Sequence, residues 1–381
     1  MSTLKVGSIR GVSASSDAIT VSNDGSCTAN ITNNLSNRNL VINGAMEVAQ
    51  RGTSFTNVGS QEYTLDRFVT LHSYGGTQMG VSQSSTSPDG FSNSYKLDVN
   101  TADTSIGAAE FVFIRHKLEA QNLQQLAYGT SGAKSITLSF YVRSNVTGTY
   151  AICLQQKDNS SKQVNGSYTI NSADTWERKT FTYAGDTSGV INNDTGTGFE
   201  ILWYLAAGSN RNSGTARSTF TAHNQADEAA GHTANILSST SNNFHLTGVQ
   251  LEANDATSDF EHISFAEDLR LCQRYFYMMV NASDGQKPVL TATCYTDGSL
   301  FGQRSFPVTM RANPSVYQVS SSAYYRAYGD NTSRTGDSVS ISVSGTTGCE
   351  LEMSVSGTSV SRPYFIRTND SNARIGFSAE L

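Results

Sequence analysis

The sequence predicts an all-β protein: an antiparallel jelly-roll sandwich followed by a second, smaller β-sandwich, with a short N-terminal β segment in front. Three observations carry that expectation. Apolar residues recur with a period of two, as in 136–143, where Ile136, Leu138, Phe140 and Val142 alternate with Thr137, Ser139, Tyr141 and Arg143. That alternation belongs to a strand with one buried face and one wetter face. The runs are short and are parted by polar turns. Helical signal is confined to 116–127, worth one or two turns, and to the stretch after Ser264.

Composition agrees. Charged residues make up 15% of the 381 residues, against roughly 25% in ordinary domains. Ser, Thr, Asn and 32 Gly take their place, while 17 Tyr, 17 Phe and 2 Trp supply core material. Disorder requires more charge and fewer aromatics. The net charge is −6 with no basic stripe, which argues against a nucleic-acid partner. The N-terminal MSTLKVGSIRGVS lacks the apolar core of a signal peptide, and no run reaches the roughly 18–20 apolar residues of a membrane span. The expected chain is soluble when made. Five cysteines are widely spaced with no CxxC, and they read as buried small hydrophobes.

Residues 1–37 contain ITV (19–21), an Asp24-Gly25 turn and TANIT (28–32), two short strands around a hairpin. So little apolar material cannot bury a core alone, so the segment is expected to pair with copies of itself or with another protein. The alternative is a floppy leader.

Residues 38–277 carry about eleven strand-like runs, among them NLVINGAMEV (39–48), EFVFIRHKL (110–118), SITLSFYVRS (135–144), FEILWYLAA (199–207) and NFHLTGVQLE (243–252). In 199–205, Phe199, Ile201, Trp203 and Leu205 share one face. That many strands suits a sandwich or jelly roll. A polar insertion, 208–243, precedes the closing strand, with Phe220, Ile236 and Leu237 as its expected anchors. The stretch 244–277 then joins the two large regions. Ser264 followed by Glu267 is a capping-box spacing that starts a helix at Phe265, with Phe265 and Leu269 on one face and Leu271 and Tyr275 on the next.

Residues 278–381 read as seven strands, enough for an independent sandwich whose last strand alternates Ile375, Phe377 and Ala379. Between strands lies SAYYRAYGDNTSRTGD (322–337), read as a loop rich in tyrosine and arginine.

Motifs for catalysis are mostly missing. GTSGAKS (129–135) lacks the glycine before Lys134 and precedes a strand, so it reads as a turn. GxSxG, HExxH and calcium-loop patterns are absent. His223 and His232 flank Asp227 and Glu228, a spacing open to a metal site or to a solvated loop; no metal and no cofactor is expected. A pair of glycosidase carboxylates could still meet in space. Tyr324, Tyr325 and Tyr328 stand out, because tyrosine offers a flat apolar face with a hydroxyl at its rim, suited to stacking on sugar. Arg326 and Asp330 could add polar contacts. The alternative is that these tyrosines pack on the sheet beneath or on a neighbouring subunit.

Several phrases together resemble a carbohydrate-binding-like module of bacteriophage tail-fibre and other surface proteins. They are NLVINGAMEVAQRGTSF (39–55), YTLDRF (63–68), KSITLSFYVRS (134–144), TWERKTFTY (175–183), NILSSTSNNFHLTGVQLE (235–252) and FAEDLRLCQRYF (265–276). Residues 1–37 are similar to the leaders of such proteins, which face the virion. FPVTMRANPSV (306–316) and the ending IGFSAEL resemble C-terminal β domains that follow the module. The resemblance implies a virion appendage, a homotrimer with 278–381 distal and 1–37 docked to another tail or head protein, made in the host cytoplasm and without catalysis. Gln50-Arg51-Gly52 and Asp66-Arg67 match the family motif and read as structural, an arginine tying strand ends to a carboxylate or carbonyl.

From this follow three expectations. The first is a receptor-binding fibre that adheres to host surface polysaccharide through 278–381. The second is a head-fibre, decoration or collar protein without a ligand. The third is a polysaccharide depolymerase.

Overall fold

The computed structural model describes residues 6–12, 17–29, 37–73, 79–283 and 286–381. Nearly every regular element among them is an antiparallel strand, and four of the five sheets build two sandwiches. The fifth is a small meander, Ser8–Ile9, Ile19–Val21 and Cys27–Ala29, closed at Gly25 with φ +84°. Ile9 and Val21 are exposed there. Part of the expected second strand, 30–32, lies outside the described residues. Cys27 is exposed, unlike the four other cysteines, and all five are free thiols.

The larger sandwich faces a six-stranded sheet against a seven-stranded one. In the first, Ile136–Ser144 is flanked by Glu177–Tyr183 and Asn243–Glu252. In the second, Thr197–Ala207 lies between Gly148–Gln156 and Phe111–Glu119. Ile136, Leu138, Phe140 and Val142 are fully buried, as are Phe199, Ile201, Trp203 and Leu205. Trp203 meets Phe140 edge-to-face at 5.8 Å, a favourable quadrupolar arrangement at the centre of the core. After Glu119 the expected helical break is a 3-10 helix, Ala120–Leu126.

The opposite face of Thr197–Ala207 is not wet. Leu202 and Tyr204 are buried there with Val69, Phe113, Cys153 and Ala229. The insertion after Gly208 folds back over this face, and Glu228 fixes it by accepting hydrogen bonds from Gln155, Tyr204 and Arg211. His223 Nε2 lies 2.8 Å from the same carboxylate, and Arg217 pairs with Asp227 at 2.8 Å. Asp227 and Glu228 are thus held in a buried ionic cluster, while 222–225, His223 included, stay exposed. Phe220, Ile236 and Leu237 anchor the insertion as the sequence predicts.

Residues 39–48 do not form the expected strand. Asn43 and Met46 adopt positive φ, and Asn43 Nδ2 donates to the carbonyls of Val48 and Asp66. Side-chain amides replace ladder bonds here, a local competition that Asn is suited to win. Gly44 passes so close to the Asn243–Glu252 strand that a Cβ would lie 2.1 Å from the Val249 oxygen.

The joint helix is Phe265–Gln273, capped by Ser264 Oγ on the Glu267 amide at 3.3 Å. Phe265 is 57% exposed, whereas Asp268 and Cys272 point inward, as does Tyr275 just past the helix end. Asp268 is tolerated because the Asn43 amide donates to it at 2.9 Å. The next strand, Phe276–Asn281, already belongs to the smaller sandwich, where it pairs with Arg374–Ser378.

That smaller sandwich sets a three-stranded sheet, including Ser315–Val319, against a seven-stranded one. Its last strand leads back into the larger unit. Glu380 is nearly buried between Arg51 and Arg67. Arg51 lies 3.5 Å over the Phe276 ring and Arg67 3.6 Å over the Tyr275 ring. Arg67 also donates to the Lys117 carbonyl, and Tyr63 Oη to the Leu381 carbonyl at 3.0 Å. Gln50 and Asp66, bonded to one another, complete this layer. The matched arginines do tie a carboxylate and a carbonyl, and the carboxylate comes from the far end of the chain.

Candidate functional site

The seven-stranded sheet of the smaller unit runs, edge to edge, Thr332–Gly336, Tyr325–Gly329, Pro363–Thr368, Pro288–Thr296, Ser299–Ser305, Gly348–Ser354 and Ser340–Ser344. Alternation sorts its residues. Tyr325, Ala327, Tyr364, Ile366, Ala292, Cys294, Leu300 and Leu351 face the core. The residues between them face outward, and no other described element packs on most of that surface: Thr291, Thr293, Tyr295, Phe365 and Arg367 are exposed.

Cross-strand pairing arranges this outer face in rows. Ser333, Tyr328, Phe365 and Thr291 are successive partners in one row. Pro363, Thr293, Phe301 and Glu352 make the next. Directly opposed residues on a sheet have Cβ atoms about 4.5–5.5 Å apart, so Tyr328 and Phe365 form a continuous apolar strip. Phe365 is 57% exposed and Tyr295 is 75% exposed, an unusual outlay of aromatic surface. Tyr295 meets Phe301 edge-to-face at 6.1 Å over a shallow depression of about 540 Å³ that Thr293, Glu350 and Ser361 also line. The Arg367 guanidinium lies 5.3 Å from the Tyr328 ring centre.

The five residues singled out from sequence divide. The segment is a β-hairpin, Tyr325–Gly329 with Thr332–Gly336, and not a loop. Its turn uses Asp330 and Asn331, both at positive φ, which Asp and Asn tolerate best. Tyr328 and Arg326 stand on the outer face. Tyr325 points the other way, fully buried, its hydroxyl donating to the Val319 or Arg374 carbonyl, each 3.1 Å away. Burial pushes that hydroxyl up to about 12. Tyr324 packs at the margin of the core. Asp330 accepts the Tyr364 hydroxyl, which holds its carboxyl below the usual range. Tyr325 therefore serves the core, and Asp330 braces the turn.

Sequence reasoning missed Phe365, Tyr295, Phe301 and Arg367. The signal was present in PYFIRT, because period two must put Phe365 opposite to Tyr364 and Ile366.

Among the described residues the buried carboxylates are all committed. Glu119 accepts from Arg274 and Tyr275, and Glu200 faces Arg115, Lys117 and Lys157 at 3.7 Å each. Among the described residues no group of three or more His, Cys, Asp or Glu gathers as metal ligands do. Among the described residues no helix is long and apolar enough to cross a membrane.

The fold and this face together define a two-sandwich all-β protein that displays aromatic side chains on an uncovered sheet. No family model matches the sequence, and no curated protein matches it. Among solved structures, it is similar to the enzymatically active domain of tailspike protein 4 of bacteriophage CBA120, at 10% identity and TM-score 0.30 over 56% of this chain. It spans about a fifth of that protein, 21%. It is also similar to a family 11 carbohydrate-binding module from Clostridium thermocellum in complex with a β-1,3-1,4-mixed-linked tetrasaccharide, at 11% identity and TM-score 0.28, over 54% of this chain and 98% of that one. A third is TmCBM61 in complex with β-1,4-galactotriose, at 9% identity and TM-score 0.27, over 57% and 99% of the two chains.

Proposed function

We propose that this chain is a non-catalytic adhesion protein of a virion appendage, of the bacteriophage tail-fibre type, that binds host surface polysaccharide through the outer face of 278–381. The observation that carries this reading is the Tyr328–Phe365 strip on a sheet face left uncovered. Flat aromatic surfaces stack on the apolar faces of sugar rings, and the flanking Thr291, Thr293, Gln303 and Ser333 offer hydrogen bonds to hydroxyls.

Three copies of a weak site suffice for attachment. Sites of roughly millimolar affinity, held together in a homotrimer, act through effective concentration. The N-terminal meander, too poor in apolar residues to stand alone, would take its missing partner from the other copies or from a tail or head protein of the particle. The clamp around Glu380 would keep the distal sandwich rigid against the jelly roll.

A second reading takes the face as an interface between copies in a purely structural fibre. The exposure of Val343 and Phe365 on that face favours it. The discriminating experiment is whole-cell and polysaccharide binding by the full chain and its Tyr328→Ala/Phe365→Ala variant, with oligomeric state measured by light scattering. Adhesion predicts lost binding with unchanged oligomeric state. Loss of the oligomer, with no binding by the parent chain, would replace adhesion with the structural reading.

A further inference from the structure

One feature of the outer face is unfavourable in the free protein. Arg326 and Arg367 are directly opposed across the Tyr325–Gly329 and Pro363–Thr368 strands. Like charges in that register repel. Neither guanidinium has a carboxylate partner among the described residues. The Arg326 Nε is shut off from solvent without an acceptor. Carboxylates close by in sequence are engaged elsewhere: Asp330 by Tyr364, Asp337 by the Ala323 amide and Asp370 by the Asn372 amide. The remaining neighbours of the pair across the sheet are Thr335 and Pro288, which carry no charge.

We propose that Arg326 and Arg367 form an anion subsite alongside the aromatic strip, so that the polysaccharide bound there carries an oxyanion, a sugar carboxylate or a phosphate. This rests on the adhesion reading and names the class of glycan. Two planar guanidinium forks side by side match such a group with paired, charge-assisted hydrogen bonds. Binding also relieves the repulsion between them. Phe365 and Tyr328 occupy the adjoining row on the same face, so a sugar stacked on the strip would hold a substituent over the pair.

The opposite end of the face sets a limit. Glu350 and Glu352 lie three strands away from Arg367, more than about 14 Å at the usual interstrand spacing, since they are also offset along the strands. They repel anions, so a polymer with charges spaced among neutral sugars fits better than one charged at every residue. The whole chain carries a net charge of −6. General electrostatics therefore repel polyanions, and any attraction has to come from a local patch.

The test uses the full chain and a panel of acidic bacterial surface polysaccharides, each also carboxyl-reduced or dephosphorylated. The parent chain should hold at least one charged form about tenfold or more tightly than its neutralised counterpart, with the advantage shrinking as salt rises. Which treatment abolishes it assigns the group. Arg326→Gln/Arg367→Gln should hold the charged form no more tightly than the parent holds the neutralised one. Its melting temperature should be equal or higher, since repulsion is removed. Equal affinity of the parent for charged and neutralised forms would overturn the anion subsite while leaving adhesion standing. A double variant that keeps the preference would overturn it too. Failure of the parent to bind any of the polysaccharides would instead overturn the adhesion reading beneath it.

Discussion

The guanidinium of Arg67 and the carboxylate of Glu380 meet across 313 residues of chain. Arg67 is 1% exposed and adopts φ +69°, a conformation that costs a non-glycine residue of order 1 kcal/mol. The surrounding layer of Gln50, Asp66, Tyr275 and Phe276 holds it there. This contact joins the end of the second sandwich to the start of the first.

Removal of Glu380 should therefore destabilise both units. Glu380→Ala leaves Arg51 and Arg67 buried without their carboxylate, a change worth about 3–5 kcal/mol. Denaturant unfolding should show the loss, and the single transition should split as the two sandwiches uncouple. A fall below about 1 kcal/mol would mean that the clamp is not closed in solution. For the same reason, deleting 278–381 is a poor test of where binding resides, since it also strips the jelly roll of this partner.

Asp268 makes the joint pH-sensitive. Burial raises its carboxyl from 3.8 to about 6, with the Asn43 amide pulling it back down. Between those values the folded chain holds the proton more tightly than the unfolded chain does. The group's favourable contribution is thus complete below about 4 and is lost as pH rises through 6. Asp268→Asn keeps an acceptor for the Asn43 amide and removes that loss. It should raise stability at pH 7 on the order of 1–3 kcal/mol and change little at pH 4. An equal effect at both values would contradict the assignment.

Tyr325 and Tyr328 should part company under mutation. Tyr325→Ala opens a cavity in the smaller core and should cost about 3–5 kcal/mol, which makes it a folding variant. Tyr325→Phe loses only its hydroxyl bond to the Val319 or Arg374 carbonyl, about 1 kcal/mol. Tyr328→Ala should leave the melting temperature nearly unchanged, because its ring lies on the outer face.

Much of the fold was legible because strand alternation in 136–143 and 199–205 is strict and both runs bury one full face. The capping spacing Ser264–Glu267 located the helix start for an equally local reason. What failed was non-local. Residues 39–48 look like a strand, yet Asn39 and Asn43 side chains satisfy the backbone of a distant strand and of their own turn instead. On the joint helix, Asp268 faces inward because the Asn43 amide, 225 residues away, meets it, which no local pattern signals. The tyrosines of 324–328 were noticed for their composition. Their division between core and surface followed only once the hairpin register was known. Phe365 and Arg367, on another strand, could be joined to them only by the sheet.

The most direct test of adhesion through the outer face uses the chain's own tryptophans. Both Trp176 and Trp203 lie in the jelly roll, so the parent chain's fluorescence reports on that unit alone. Phe365→Trp adds a reporter on the distal face. On titration of the full chain with host surface polysaccharide, adhesion through this face predicts a saturable change in Phe365→Trp fluorescence that the parent chain lacks. A silent Phe365→Trp signal while sedimentation shows the polysaccharide bound, with a change in the parent's own emission, would contradict it and place the binding on the jelly roll.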